Sequence, residues 1–506
     1  MEDLKTRLSD LILKHLPAPP ATVVAVGGES ADACSTRFRL AGYEVFRCFA
    51  SGTLPDPPTE AEPDKPGYAI PTQYDAILFC GSLPDLAPLR KVLKGARELL
   101  KEKGMVLICL GMGNDPLMGQ DPGPRRPSEV IMALYESGFA VRGNEWIEEQ
   151  VRTPCSEEKQ KPKGCCFVVG KKDAAFVRGY REGDETAILT MFKEVFKADR
   201  NMEHWYWKFR DNPFGAYKIV EAFAEDGTLA GHYSGYPVPF RAPKSGGEAF
   251  VSYQIGDIMT RPGFRQVGLA NTSILGRITD YFHHRFCLDT VPFMYGFVAG
   301  NHKRFGERFL RYSYMHPIPY HVLDKAKSRQ KGKGRAAAFL SGLSVKPVAQ
   351  LTPEFDVFFQ EASEGYGLLV QRDAAYLQWR YLDCPDKRHT LIAVRRFGRL
   401  VGWSVFSRRG EALIWGDALF PKTTGARTVK GMLDQVIRSY FPGITRIEGW
   451  FSPAPEWWSR LLGEMGFRRT EEPSKLVSGV TLFDGSFSVS EIEQTLYYTM
   501  GDSDLF

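Results

Sequence analysis

Ile255-Gly256-Asp257-Ile258-Met259-Thr260-Arg261-Pro262-Gly263-Phe264-Arg265-Gln266-Val267-Gly268-Leu269-Ala270 is the stretch on which the fold turns. Its first six residues read as a strand, Pro262-Gly263 as a turn, and the rest as a loop opening into a helix. Successive main-chain N–H groups in such a loop, together with the positive end of the helix, suit a bound pyrophosphate without any side-chain charge. Small residues at Gly268 and Ala270 let phosphates approach the backbone closely. Downstream, Ile274, Leu275, Ile278 and Phe282 recur at helical spacing, so a helix over 269–285 can pack one face on a sheet and hold the loop in place.

Around this stretch lie 506 residues, enough for about three domains at roughly 150 residues each. A hydrophobic fraction of 43% with 25% charged residues indicates well-buried globular cores and argues against disorder or a fibrous repeat. The net charge of +5, from 65 basic and 60 acidic residues, is too small to imply a polyanion, so nucleic acid is not an expected partner. Apolar runs such as 76–80 and 105–110 fall far short of the roughly 20 residues a bilayer span needs, so no membrane partner is expected either. The start, Met-Glu-Asp-Leu-Lys-Thr-Arg, lacks the basic end and apolar centre of a secretory signal, which makes a cytoplasmic location the expectation. Nine scattered cysteines without a Cys-x-x-Cys pair suggest neither disulfides nor zinc, and no metal site is expected.

The order of patterns gives an α/β fold in three parts. Residues 1–172 alternate apolar strands (22–26, 44–48, 75–80, 105–110, 166–169) with helical patterns (86–101, 128–137), as in a doubly wound, mostly parallel sheet. Residues 173–325 add strands at 219–224 and 250–260 and the helix after the loop. A basic segment within 326–343 reads as a linker rather than a nucleic-acid patch. Residues 344–506 repeat the preceding part: Trp379-Arg380-Tyr381 parallels Trp207-Lys208-Phe209, and Leu400-Val401-Gly402 parallels Leu229-Ala230-Gly231.

At Arg265 to Ala270 the chain resembles the GNAT acyltransferase superfamily, whose cofactor loop reads Arg or Gln, two residues, Gly, one residue, then Gly or Ala. Family-like features continue in Trp205-Tyr206-Trp207-Lys208, Asn212-Pro213, Gly296-Phe297, Asn301 and the aromatic run 309–314. The resemblance implies transfer of an acyl group from acetyl-CoA or another acyl-CoA to a small-molecule or peptide amine. Ile258, Met259 and Thr260 would then pair with the pantetheine arm, and Arg265, Gln266, Val267, Gly268, Leu269, Ala270 and Asn301 would complete the cofactor site. Asp257 is the candidate base or water-holder, with a salt-bridge role as the alternative. Tyr312 is the preferred acid and Tyr314 the fallback, because the spacing from Asn301 is not reproduced cleanly. His232 is a second candidate base, Trp205, Tyr206 and Trp207 candidate walls of an acceptor cleft.

The flanks carry weaker resemblances. Val23-Val24-Ala25-Val26-Gly27-Gly28-Glu29 is similar to the first glycine-rich loop of class I methyltransferases, with 74–80 in the place of that family's fourth strand. The strand ending near Cys48 lacks the acid that would bind ribose hydroxyls, so the fold is expected without S-adenosylmethionine chemistry. The last part resembles a second GNAT fold, giving a Rossmann-like sheet followed by two tandem GNAT-like domains. Its loop, Pro421-Lys422-Thr423-Thr424-Gly425-Ala426-Arg427, puts a bulky Arg427 where a small residue would admit phosphate, so cofactor is not expected there. Asp502 and Asp504 near the end read as a cap or solvated tail in preference to a calcium site. A methyltransferase with appended modules, an aminoacyl-type transferase like the peptidoglycan-bridge enzymes, and a non-catalytic scaffold are the competing readings. The acceptor and the oligomeric state are not legible.

Overall fold

A computed structural model describes residues 10–27, 29–48, 72–80, 86–112, 127–148, 164–265, 272–299, 303–325, 342–386 and 389–506. The chain divides into two compact units: Met1–Arg181, Val220–Tyr233 and Met259–Arg285 in the first, Glu182–Ile219, Ser234–Ile258 and Phe286–Phe506 in the second. Residues expected to form one middle part are therefore shared between both units.

The chain begins with β1 (Thr22–Gly27), α1 (Glu29–Leu40), β2 (Glu44–Cys48), β3 (Tyr74–Cys80), α2 (Leu86–Leu99), β4 (Leu100–Met112), α3 (Pro127–Glu136), β5 (Phe139–Glu148) and β6 (Gly164–Lys172). These strands form a sheet in the order β2-β1-β3-β4-β6-β5. The first four neighbours run parallel, whereas β6 is antiparallel to both β4 and β5. Near-continuous apolar runs explain the burial: Ala76, Ile77 and Leu78, then Val106, Leu107 and Ile108, are fully buried, as central parallel strands covered on both faces require. Helix α2 seals this layer with Leu89, Leu93 and Ala96, which share one face.

Next come β7 (Ala175–Gly179), α4 (Glu185–Phe196), α5 (Met202–Phe209), β8 (Lys218–Ala224), β9 (Leu229–Arg241), β10 (Ala249–Thr260) and α6 (Ile274–Phe282). In the first unit β7 pairs antiparallel with β8, and α6 starts where the Ser273 hydroxyl accepts from the Gly276 N–H. Expected as a helix over 269–285, the segment leaves α-geometry at His283, from which His283–Cys287 forms a π-turn.

The second unit continues through β11 (Phe293–Ala299), α7 (Lys303–Phe309), β12 (Ser313–Pro317), β13 (Tyr320–Asp324), β14 (Leu343–Pro347), α8 (Glu354–Ser363), β15 (Leu369–Val370) and α9 (Ala374–Leu377). It ends with β16 (Thr390–Arg396), β17 (Arg399–Arg409), β18 (Ala412–Leu419), α10 (Ala426–Tyr440), β19 (Arg446–Trp450), α11 (Glu456–Met465), β20 (Arg468–Thr470), β21 (Leu476–Leu482) and α12 (Val489–Thr495). One sheet runs β12-β21-β11-β10-β9, the other β14-β16-β17-β18-β19-β13-β20. Strands are exchanged across the expected linker 326–343. β13, which precedes it, lies between β19 and β20, while β21, which follows it, lies between β11 and β12. A large aromatic core with Trp403, Trp415 and Trp458 binds the two halves of this unit together.

Candidate active site

The segments around Trp207-Lys208-Phe209 and Trp379-Arg380-Tyr381 are two copies of one local structure, 172 residues apart. Asn201 caps α5 by accepting from the His204 N–H, and Asp373 caps α9 by accepting from the Tyr376 N–H. One helical turn on, Trp207 Nε1 donates to the Trp379 carbonyl at 2.7 Å and Trp379 Nε1 donates to the Trp207 carbonyl at 3.1 Å. The two indoles stack with centroids 5.5 Å apart, so the copies meet as a reciprocal pair.

Each copy brings an arginine to a Gly-Asp dipeptide on a strand. In the first, Asp257 on β10 takes the Arg200 guanidinium and, at 3.2 Å, the Lys208 ammonium. Lys208 also reaches Asp504 at 3.2 Å. Asp257 sits at φ 51°, a left-handed conformation that Asp tolerates better than most residues, while Ser234 Oγ donates to the preceding Gly256 carbonyl at 2.8 Å. Burial opposes the charge on Arg200, but Asp257 and then Asp504 and Asp386 outweigh it and raise its pKa.

A cleft of about 110 Å³ opens beside these charges, lined by Arg200, His204, Trp207, Lys208, Asp386 and Asp504 among others. His204 Nδ1 lies 3.2 Å from Asp386 Oδ1. Burial first, and Arg200 next, lower the His204 pKa below its usual value.

Neighbouring positions on β10 serve a second, apolar cavity, a narrow one of about 20 Å³. Ile255 and Ile258 line it with Tyr295, Gly296, Tyr312 and Tyr314. It exists because the parallel strands β10 and β11 are in register only at Tyr253–Met294 and Gln254–Tyr295. Tyr314 turns its buried hydroxyl toward α7, where a Cβ on Gly306 would fall 2.1 Å from it, and the hydroxyl has no hydrogen-bond partner among the described residues. Burial, with Glu307 nearby, pushes its pKa up to about 12. The Tyr312 and Tyr314 rings meet edge to face at 6.2 Å.

Thus Asp257 borders one cavity's charges, while Ile258, Tyr312 and Tyr314 line the other. Met259 and Thr260 finish β10, and exposed Arg265 donates from Nε to the Thr260 carbonyl at 3.2 Å. Gln266, Val267, Gly268, Leu269, Ala270 and Asn301 lie outside the described residues. Of the candidate acceptor walls, Trp207 reaches the cleft, whereas Trp205 is fully buried and Tyr206 carries the Arg210 guanidinium on its face. His232 is fully buried. Asp502, expected as a cap or tail residue, does close a capping box with Thr499 and also receives Arg372, while Asp504 receives Lys208.

His204, Arg200 and Asp386 were not singled out in sequence. Arg200, His204 and Lys208 stand four residues apart, a spacing that was the available signal for the first two, although Arg200 lies before the Asn201 cap and outside α5. Asp386 comes from after the second Trp segment and carried no local signal.

No family model and no curated protein sequence matches the chain. Among solved structures it is similar to a probable N-acyltransferase of Enterococcus faecalis V583, with 12% identity over 61% of this chain and 73% of that one and a TM-score of 0.45. A GCN5-related N-acetyltransferase from Anabaena variabilis shares 13% over 61% and 73%, TM-score 0.43. A tandem GNAT protein from the clavulanic acid biosynthesis pathway shares 12% over 62% of this chain and all of that one, TM-score 0.37. Such identities concern the fold alone, and with every one of these TM-scores below 0.5 the chemistry rests on this chain's own residues.

Proposed function

We propose that the protein is an acyl-CoA-dependent N-acyltransferase, with acetyl-CoA as donor and a small-molecule or peptide amine as acceptor. The observation that carries this reading is the early parting of β10 from β11, which opens an apolar slot against main chain that a neighbouring strand would otherwise occupy. Strand N–H groups freed in this way can hold an extended amide-bearing arm and polarise a thioester carbonyl. Ile258, Met259 and Thr260 provide that edge, and Arg265 to Ala270 follow directly in sequence as the pyrophosphate loop, with Asn301 after β11. A thioester donor supplies an activated acyl group.

Tyr312 remains the preferred acid for the leaving sulfur, because the Tyr314 hydroxyl is directed at α7. Asp257 receives both Arg200 and Lys208, so its role is to fix these two cations at the cleft. A scaffold without donor affinity is the alternative that calorimetry with acetyl-CoA decides. Gly268→Glu places a carboxylate where the pyrophosphate would lie, so acetyl-CoA affinity is expected to drop by more than about tenfold. Undiminished affinity in that variant would move the donor site elsewhere.

For residues 1–172 we propose a methyltransferase-like Rossmann domain. With 74–80 counted as the fourth strand, its pairing beside β1 supports that reading. No acid ends β2 at Cys48, and S-adenosylmethionine chemistry is not part of the proposal.

A further inference from the structure

The cleft beside Asp257 is lined by three basic side chains, Arg200, Lys208 and Arg380, and two acidic ones, Asp386 and Asp504, but they are not equally available. Lys208 is 3% exposed and bound by two carboxylates, and Arg200 is 11% exposed and bound by Asp257. Arg380 is buried and spends its guanidinium on the carbonyls of Gly501, Ser503 and Phe506. The side chains of Asp386 and Asp504, by contrast, are 26% and 25% exposed. The charges that meet an incoming ligand are therefore chiefly carboxylates. Around them stand Trp207, Tyr236, Trp379 and Phe506, with Arg380 on the Trp207 ring and Lys208 on the Tyr236 ring.

His204 completes the arrangement. Its Nδ1 lies 3.2 Å from the Asp386 carboxylate, which fixes the tautomer that bears the proton on Nδ1. Its Nε2 makes no hydrogen bond among the described residues, and the residue lines the cleft.

We propose that the cleft takes the acyl acceptor as a cation, an amine without a carboxylate beside it, and that His204, oriented by Asp386, is the base that deprotonates it. The inference rests on the acyl-transfer reading and assigns that reaction its acceptor class and base. His204 Nε2 takes one proton from the acceptor's ammonium. The freed lone pair forms the N–C bond to the thioester carbonyl while the C–S bond breaks. The extra proton on the new amide nitrogen ends on the sulfur, giving amide, free thiol and a protonated His204 that returns its proton to water. Burial and the facing charges of Arg200 and Lys208 favour the neutral imidazole, Asp386 opposes them, and Asp504, His389 and Arg380 complete the charged and titratable lining. An acceptor with its own carboxylate beside the amine would set that group against Asp386 and Asp504.

The test follows thiol release from acetyl-CoA by the full chain with cadaverine against lysine and tyramine against tyrosine. It compares wild type, His204→Gln and Asp386→Asn across pH, with acetyl-CoA affinity measured calorimetrically for each. Expected are a preference for each amine over its amino acid of more than about tenfold in kcat/KM and a loss of about 10²- to 10⁴-fold in His204→Gln. The acidic limb of the pH profile should vanish in His204→Gln and move to lower pH in Asp386→Asn, with acetyl-CoA affinity unchanged in both. A preference for the amino acids, no acetylation of any of the four by a protein that binds acetyl-CoA, or an unaltered rate and profile in His204→Gln would each overturn the proposal. Wild type that fails to bind acetyl-CoA would instead overturn the donor reading beneath it.

Discussion

The two copies of the Arg-Trp-Gly-Asp arrangement in the second unit share their backbone plan and differ in whether water reaches it. In the later copy Arg372 and Asp417 are fully buried at 3.1 Å, Asp502 adds a second carboxylate to Arg372, and Tyr381 donates to Asp417 at 2.6 Å. Thr499 closes it, its hydroxyl donating to Asp417 at 2.9 Å and its N–H to Asp502 at 2.7 Å. In the earlier copy Phe209 stands where Tyr381 does and has no hydroxyl to give, so Asp257 takes Lys208 in addition to Arg200. The partner of Lys208 is Arg380, whose longer fork reaches main-chain carbonyls. Two substitutions thus separate a sealed network from one that borders a cleft, and a duplicated fold can keep one copy for stability while the other is released for binding.

The largest expected effect tests that division. Arg372→Met leaves Asp417 and Asp502 buried together without their cation and should cost about 3–5 kcal/mol in urea unfolding. Arg200→Met should cost clearly less, because Lys208 still serves Asp257 and the site borders the cleft. Equal losses would break the comparison. Tyr381→Phe, which converts the sealed copy toward the composition of the open one, should cost about 1.5–3 kcal/mol by removing a hydrogen bond to a buried carboxylate. A negligible loss would mean that the hydroxyl does not decide the difference.

Much of this molecule was legible before any coordinates. Strands 22–26, 44–48 and 75–80 agree with β1, β2 and β3 to within a residue, and for the central parallel strands β1 and β3 the reason is that they are written as plain apolar runs. The repeat around Trp207 and Trp379 was visible because the triplets Trp207-Lys208-Phe209 and Trp379-Arg380-Tyr381 precede Leu229-Ala230-Gly231 and Leu400-Val401-Gly402 in the same order. The exchange of β13 and β21 was hidden, since a strand's own pattern says which face is buried and nothing about which distant strand it pairs with. His204 and Asp386 were hidden for a related reason: their pairing depends on a contact between segments 182 residues apart, and neither residue is unusual locally.

Acid offers a gentler probe of the sealed copy. Burial pushes the Asp502 pKa up to about 6, with Arg372 pulling it down and Asp417 adding to the rise. A folded-state pKa above the ordinary carboxylate value means that the native state binds more protons than the unfolded chain between about pH 4 and pH 6. This contribution is therefore fully present at the acid end and is lost as pH rises through about 6. Asp502→Asn should flatten that part of the wild-type stability profile, measured by urea unfolding at stepped pH. An unchanged slope would show that Arg372 holds Asp502 ionised throughout.

The smallest effect concerns the glycines before the two aspartates. A Cβ at Gly416 would lie 1.8 Å from the Phe506 ring, and Gly416 is the extra residue where β18 slips past β17, between Trp415 and Asp417. A Cβ at Gly256 would meet the Asp504 carboxylate at 2.4 Å and Lys208 Nζ at 3.2 Å. Asp504 is a quarter exposed and can swing aside, whereas Phe506 must shift a whole ring. Gly256→Ala should accordingly cost under about 1 kcal/mol in stability, and Gly416→Ala about 1–3 kcal/mol. If Asp504 helps to present negative charge to the acceptor, Gly256→Ala should also raise the acceptor KM several-fold with the acetyl-CoA KM unchanged. A raised KM in Gly416→Ala instead would place the functional opening in the wrong copy.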